Sequence, residues 1–151
     1  MPPPAAEDPF DLARFLEAQA RDYETALAEL RAGRKRTHWI WYVLPQLRGL
    51  GRSPLSDFYG IGSLAEAQAY VAHPVLGPRL AACIEAIARH RGRPAEHILG
   101  DVDAAKYRSC LTLFKHAAGD ASIFAAALAD FFDGREDALT LALLAAPRPS
   151  T

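Results

Sequence analysis

The chain has 151 residues, half of them apolar, which is enough for one domain with a continuous core. Its 17 Lys and Arg against 18 Asp and Glu give a formal net charge of −1, so global attraction to nucleic acid or to an anionic membrane is excluded as an organising force. Charged residues make up 23% and are well mixed along the chain, which argues against general disorder.

β-Branched residues are sparse and alanine, the best helix former, is abundant. The chain therefore reads as all-α: a single irregular domain of about seven to nine helices over residues 9–146, between flexible tails at 1–8 and 147–151. In the first helix, Asp8 is the expected cap with Pro9 at the first helical position. Leu12, Phe15, Leu16, Tyr23, Leu27 and Leu30 then recur at helical spacing, and Gly33 supplies the stop. Arg14, Glu17 and Arg21 are assigned to the wet face, Glu17 and Arg21 in register for an i,i+4 pair.

A basic stretch, Arg34-Lys35-Arg36, leads into the dense apolar run His38 to Leu44, closed by Pro45. Its length suits a buried strand as well as a helix. No partner strand is evident, so a short helix capped by Thr37 is expected. Residues 46–53 read as a loop and Pro54 to Tyr59 as a helical turn. Ser63 and Glu66 form a capping box opening a helix to Ala72. His73-Pro74 breaks it, and a longer helix is expected from Pro74 to about Arg91, irregular around Pro78. A short turn at 94–99, a helix capped by Asp101 or Asp103 and running to Ala118, and helices at 121–132 and 136–145 complete the series.

The two cysteines, Cys83 and Cys110, fall in helix-like segments without a C-x-x-C pair and read as reduced and buried. Residues 1–7 carry no basic n-region and no apolar h-region. No stretch approaches the ~18 apolar residues of a membrane span. The expectation is a soluble, cytoplasmic protein with no membrane partner.

Three polar-rich segments stand out from the leucine–alanine helices. The first is the loop Gly49-Leu50-Gly51-Arg52-Ser53, whose glycines admit backbone amides to an anion while Arg52 adds charge and Ser53 begins a helical turn. It is neither a Walker loop nor a dinucleotide fingerprint, and it serves equally as a connector with Ser53 as a simple cap. The second is His38, which on a helix would lie with Trp41 and Tyr42 as aromatic walls. That setting suits proton transfer or stacking, and suits as well a histidine bonded to a helix end. Gln46 follows and can read a polar ligand edge or cap the loop.

The third segment places Lys106, Ser109 and Cys110 on one helix face. A serine or thiol beside a desolvated lysine is a candidate nucleophile, whereas a charged Lys106 would bind an anion. The plainest reading has Lys106 snorkelling while the other two pack. His38, Lys106 and Ser109 are thus the weak catalytic candidates, and no nucleophile–base pair is legible. The histidines at 73, 90, 97 and 116 lack metal-ligand spacing, so no metal or other cofactor is expected. Arg34-Lys35-Arg36 beside two tryptophans is too small a patch to argue for nucleic acid and reads as a solvated linker.

The run Thr37 to Gln46, followed by Gly49 to Ser53, Tyr59-Gly60-Ile61, Glu66-Ala67, Ala69 to Leu80, and Lys106 with Ser109 to Phe114, resembles the signature of domain-of-unknown-function family 1810. Cys110 stands where a second serine is common. The likeness covers roughly Phe10 to Leu144 and implies a mostly helical bacterial domain with no established activity. The calpastatin label sometimes attached to such chains does not fit, because an inhibitor of that kind is a disordered polar repeat.

The leading functional expectation is one pocket for a small anionic ligand, such as a nucleotide or phosphorylated metabolite. Arg52, Ser53 and Lys106 would hold the anion, His38 and Gln46 would orient it or move protons, and Trp41 or Tyr59 would line the wall. The rival is a non-catalytic domain that binds a protein partner through its helical surface.

Overall fold

The architecture was obtained as a computed structural model that describes residues 8–146; the expected tails, apart from Asp8, lie outside the described residues. Among these residues the chain forms nine helices: α1 (Ala13–Ala32), α2 (Ile40–Val43), α3 (Pro54–Tyr59), α4 (Leu64–Ala72), α5 (Leu76–Ala88), α6 (Ala95–Leu99), α7 (Asp101–Ala117), α8 (Ser122–Phe132) and α9 (Ala138–Ala145). The all-α expectation holds. Among the described residues the one strand-like feature is an isolated parallel bridge between Leu47 and Ile61. It is made by the Arg48 N–H donating to the Ile61 carbonyl and the Ile61 N–H to the Gln46 carbonyl.

α7 is the centre of the packing. It lies against α4, α6, α8 and α9, and Tyr107, Cys110, Leu111, Leu113 and Phe114 are fully buried along it. α1 covers α5 and α2 from the other side. Its apolar positions go inward as the periodicity requires, with Phe15, Ala26 and Leu30 at zero exposure, and Gly33 ends it in the left-handed conformation (φ 78°).

Several local expectations are corrected. α1 begins at Ala13, because the Asp8 carboxylate caps one turn further on, accepting from the N–H groups of Leu12 (2.7 Å) and Ala13 (2.9 Å). Pro9 therefore sits in the preceding turn. The segment 38–44 is helical only over Ile40–Val43, and its N-cap is Trp39 rather than Thr37. The Thr37 hydroxyl donates to Glu29 instead. α5 starts at Leu76, not Pro74: His73 Nδ1 accepts from the N–H groups of Val75 and Leu76, and Pro78 falls in the first turn, where its missing donor costs little. Neither Asp101 nor Asp103 caps α7, whose N-cap is Gly100.

Arg14 belongs to the interior, not to the wet face, and is only 6% exposed. Its Nε donates to the Phe58 carbonyl, Nη1 to those of Phe10 and Asp11, and Nη2 to that of Gly60 and to the Glu66 carboxylate at 2.6 Å. All five guanidinium N–H donors are thereby used. Glu66 then completes only half of the expected capping box. The Ser63 hydroxyl accepts from the Glu66 N–H, but the Glu66 side chain turns to the Gly62 N–H and to Arg14. The expected Glu17–Arg21 pair is not among the ion pairs of the described residues, and Arg21 lies beside the hydroxyls of Tyr59 and Tyr42.

Glu29 fastens the basic segment after α1. One oxygen accepts from the N–H groups of Arg36 (2.8 Å) and Thr37 (3.0 Å) and from the Trp39 indole (3.0 Å), and the other from the Thr37 hydroxyl (2.6 Å). Burial pushes its pKa up, but these donors outweigh burial and lower it from 4.5 to about 2. A folded-state pKa below the unfolded one stabilises the fold above pH 4.5, and the contribution disappears as pH falls towards 2. Allowing for the water that reaches the carboxylate, it amounts to about 1–2 kcal/mol. Glu29→Gln is expected to lower the urea midpoint of unfolding at neutral pH, with the gap to wild type narrowing below pH 4.5 and closing only towards pH 2. A gap that stays constant with pH would show that this carboxylate contributes no charge-dependent stability.

Candidate functional site

Two adjoining cavities share Gln46 and Lys106. The inner one is a niche of about 10 Å3 lined by Ile40, Trp41, Leu44, Gln46, Ser56, Gly60 and Lys106, room for one water-sized group. The outer one is an open cleft of about 400 Å3, within the range of small-molecule sites. Its polar wall holds Gln46, Lys106, Ser109 and Asp137. Its apolar rim holds Leu50, Val102 and Leu139.

The elements that build it follow from the sequence. Pro45 ends the apolar run and sends the chain into the 46–53 loop. The bridge of that loop to Ile61 holds Gln46 beside α3. Gly51 is needed for the close approach rather than for ligand access: a Cβ there would stand 2.3 Å from the Ser56 hydroxyl. Ser53 is the N-cap of α3, accepting from the Ser56 N–H at 3.1 Å. On the opposite wall α7 presents Val102, Ala105, Lys106 and Ser109 in helical register. The start of α9 closes the cleft, where Asp137 Oδ2 accepts from the Thr140 N–H and hydroxyl while the Asp137 N–H donates to Thr112.

The electrostatics centre on Asp103, which the sequence offered only as a cap. Lys35 Nζ lies 2.8 Å from one Asp103 oxygen and Lys106 Nζ 3.9 Å from the other. Each ammonium also faces an indole, Lys35 over Trp39 at 5.0 Å and Lys106 over Trp41 at 5.2 Å. Two cations thus share one carboxylate, and the more loosely held cation is the one on the cleft. The Trp41 indole N–H is buried and has no hydrogen-bond partner; the amide of Gln46, a half-buried residue, makes no hydrogen bond to the described residues.

Of the candidates from sequence, Trp41, Gln46, Lys106 and Ser109 come together here. His38, Arg52, Ser53 and Tyr59 do not line either cavity. His38 is exposed on the bend before α2, so the aromatic walls expected around its imidazole do not form. Trp41 lines the niche with Lys106 instead, and the Tyr42 hydroxyl donates to Asp22. Tyr59 packs against Phe15, Tyr42 and Phe58. Arg52 is exposed and forms no ion pair among the described residues.

Burial holds both thiols in the protonated form. Cys110 is fully buried, and burial raises its pKa well above 9; Cys83 is likewise pushed up to about 12. The Ser109 hydroxyl donates back to the Ala105 carbonyl at 3.2 Å, a bond within its own helix. Among the described residues no three His, Cys, Asp or Glu side chains gather as a metal site, and no single helix is long and apolar enough to cross a membrane.

A second hollow, about 460 Å3, is lined by Pro9, Phe10, Asp11, Arg14, Arg48, Asp57, Phe58 and Glu66. Its two cations are already engaged. Arg14 is saturated as described, and Arg48 donates to the carbonyls of Asp57 (2.9 Å) and Gly60 (2.9 Å).

No curated protein matches the chain. It is similar to the conserved hypothetical protein Rv1873 from Mycobacterium tuberculosis, whose crystal structure was determined at 1.38 Å. The two share 53% identity with a TM-score of 0.90, over 93% of this chain and 100% of that one. A family model described as a protein of unknown function (DUF1810) matches residues 9–144, and on that span the chain belongs to the DUF1810 family.

Proposed function

We propose that the cleft between the 46–51 loop, the first half of α7 and the start of α9 binds a small anionic ligand. The observation that carries this reading is Lys106 on its wall, held at only 3.9 Å by the Asp103 carboxylate that it shares with Lys35, while the wall's own carboxylate, Asp137, is taken up by the Thr140 N–H and hydroxyl. One carboxylate cannot neutralise two ammoniums, and the surplus falls to Lys106, the more weakly paired. A phosphate or carboxylate entering the cleft takes up that surplus. The unpartnered amide of Gln46 and the indole of Trp41 supply directional donors. Arg52, exposed next to Gly51, adds steering charge at the entrance rather than a contact in the floor. Turnover is not part of the proposal.

The test is a thermal-shift screen of nucleoside monophosphates, sugar phosphates and small carboxylic acids. A ligand at 100 times its dissociation constant stabilises the native state by ~2.7 kcal/mol, or roughly 5–10 °C for a domain of this size. Lys106→Ala is expected to weaken a hit by at least about tenfold. Arg52→Ala is expected to weaken it about two- to threefold at low salt and hardly at all at high salt. A broad panel without hits, or a hit indifferent to Lys106→Ala, defeats the reading.

The rival reading, a protein-binding surface, draws support from the rim, where Val102 is 69% and Leu139 is 67% exposed. Pull-down with wild type against a Val102→Asp, Leu139→Asp double variant separates the two. A partner lost in the variant, with no small-molecule hit, favours the interaction domain.

A further inference from the structure

We infer that the head group this cleft takes is a planar carboxylate, one oxygen in the niche on the Trp41 indole N–H and the other on Lys106 Nζ, with an apolar body along Leu50, Val102 and Leu139. This rests on the anion-binding reading above and narrows it to one ligand class. The niche and the cleft share Gln46 and Lys106, so a group passing from one to the other lies against both residues. The niche holds about 10 Å3, the space of one water. A carboxylate places a single oxygen there while its second oxygen stays in the cleft. A phosphate monoester can place one oxygen there too, but it leaves two more terminal oxygens and a second charge in the cleft, where Lys106 is the one cation among the lining residues.

The niche also has a reason to be filled. The indole N–H of Trp41 is buried without a partner, an arrangement that native interiors rarely leave uncompensated. A ligand oxygen in the niche supplies the missing acceptor. Beyond the head group the rim is apolar, so the body is hydrocarbon or aromatic rather than a polyhydroxylated sugar. The Asp137 carboxylate on the same wall disfavours a second anionic group on the ligand, which argues for a monocarboxylate.

The experiment uses the full chain and three probes with a common aromatic body: phenylacetate, phenyl phosphate and phenylacetamide. Titrations are followed in 15N–1H correlation spectra, where the chain's two tryptophans give two indole N–H signals, assigned by triple resonance. Trp39 donates to Glu29 and serves as the internal reference. Phenylacetate is expected to move the Trp41 indole signal downfield and leave that of Trp39 in place. Phenyl phosphate and phenylacetamide are expected to bind at least about tenfold more weakly, the worth of one charge-assisted hydrogen bond. Trp41→Phe, which keeps an aromatic ring and removes the donor, is expected to weaken phenylacetate by about the same factor.

Phenyl phosphate binding as well as phenylacetate, or phenylacetate binding with the Trp41 signal unmoved, overturns the carboxylate assignment and leaves the anion cleft standing. If no probe binds, and none of the phosphates of the wider panel does, both fall together. The spectra of the wild-type chain decide the matter even if Trp41→Phe does not fold.

Discussion

Arg14→Ala is expected to cost about 3–5 kcal/mol, the usual penalty for removing one partner of a buried ion pair. Glu66, 5% exposed, would be left with a charge facing the Gly62 N–H alone, and the carbonyls of Phe10, Phe58 and Gly60 would lose the donor that ties three chain segments together. Against a total stability of about 5–15 kcal/mol for a domain, that is a large share, and the melting temperature should fall by roughly 10 °C or more. Differential scanning calorimetry and urea unfolding would measure it. The double variant Arg14→Met with Glu66→Gln should recover part of the loss, because the unpaired charge is then gone. A loss below about 1 kcal/mol for Arg14→Ala would mean that water reaches the pair and that the guanidinium is no structural hub.

The second large effect is expected at Gly77. α4 and α5 meet at 87°, and a Cβ on Gly77 would stand 2.1 Å from the Val71 carbonyl oxygen. The obstacle is backbone, so it cannot swing aside as a side chain would. Gly77→Ala must therefore open the corner between two core helices, at about 3 kcal/mol. Gly119, around which a Cβ meets nothing within 4 Å, is the control, and Gly119→Ala should be neutral or slightly stabilising. Equal melting temperatures for the two variants would show that the α4–α5 corner yields freely.

Both effects are invisible in a helical pattern, and they mark the limit of what was legible. Helix type and order were readable because alanine propensity, apolar spacing and the Gly33, Ser63 and Pro45 punctuation act over a few residues. The ends were less so. Asp8, His73 and Asp137 each cap a helix, but only Asp8 was read as doing so, and it closes on α1 one turn later than spacing implies.

At the site, Trp41, Gln46, Lys106 and Ser109 could be singled out because polar groups and a tryptophan are conspicuous beside leucine and alanine. The grouping could not be read. His38 and Arg52 are as conspicuous in sequence, yet they stand outside both cavities. Asp103, Leu139 and Asp137 carried no signal beyond a cap and a helix start.

The sequence by itself determined that the chain is all-α, that Phe15, Leu30 and their periodic neighbours face inward, that the thiols are buried and which family motifs it carries. These properties depend on local propensity and on the hydrophobic partition of each side chain, both written along the chain. Only the tertiary structure decided that Arg14 is interior, that Glu29 holds the segment 36–39, and that Lys35 and Lys106 divide Asp103 between them above a cleft. The contacts of Arg14 and of Lys35 with Asp103 depend on which segments approach which, and that of Glu29 on how the chain folds back after α1. Contacts at separations of 46 to 68 residues carry no periodic trace in the sequence, because an ion pair constrains two points in space and nothing between them.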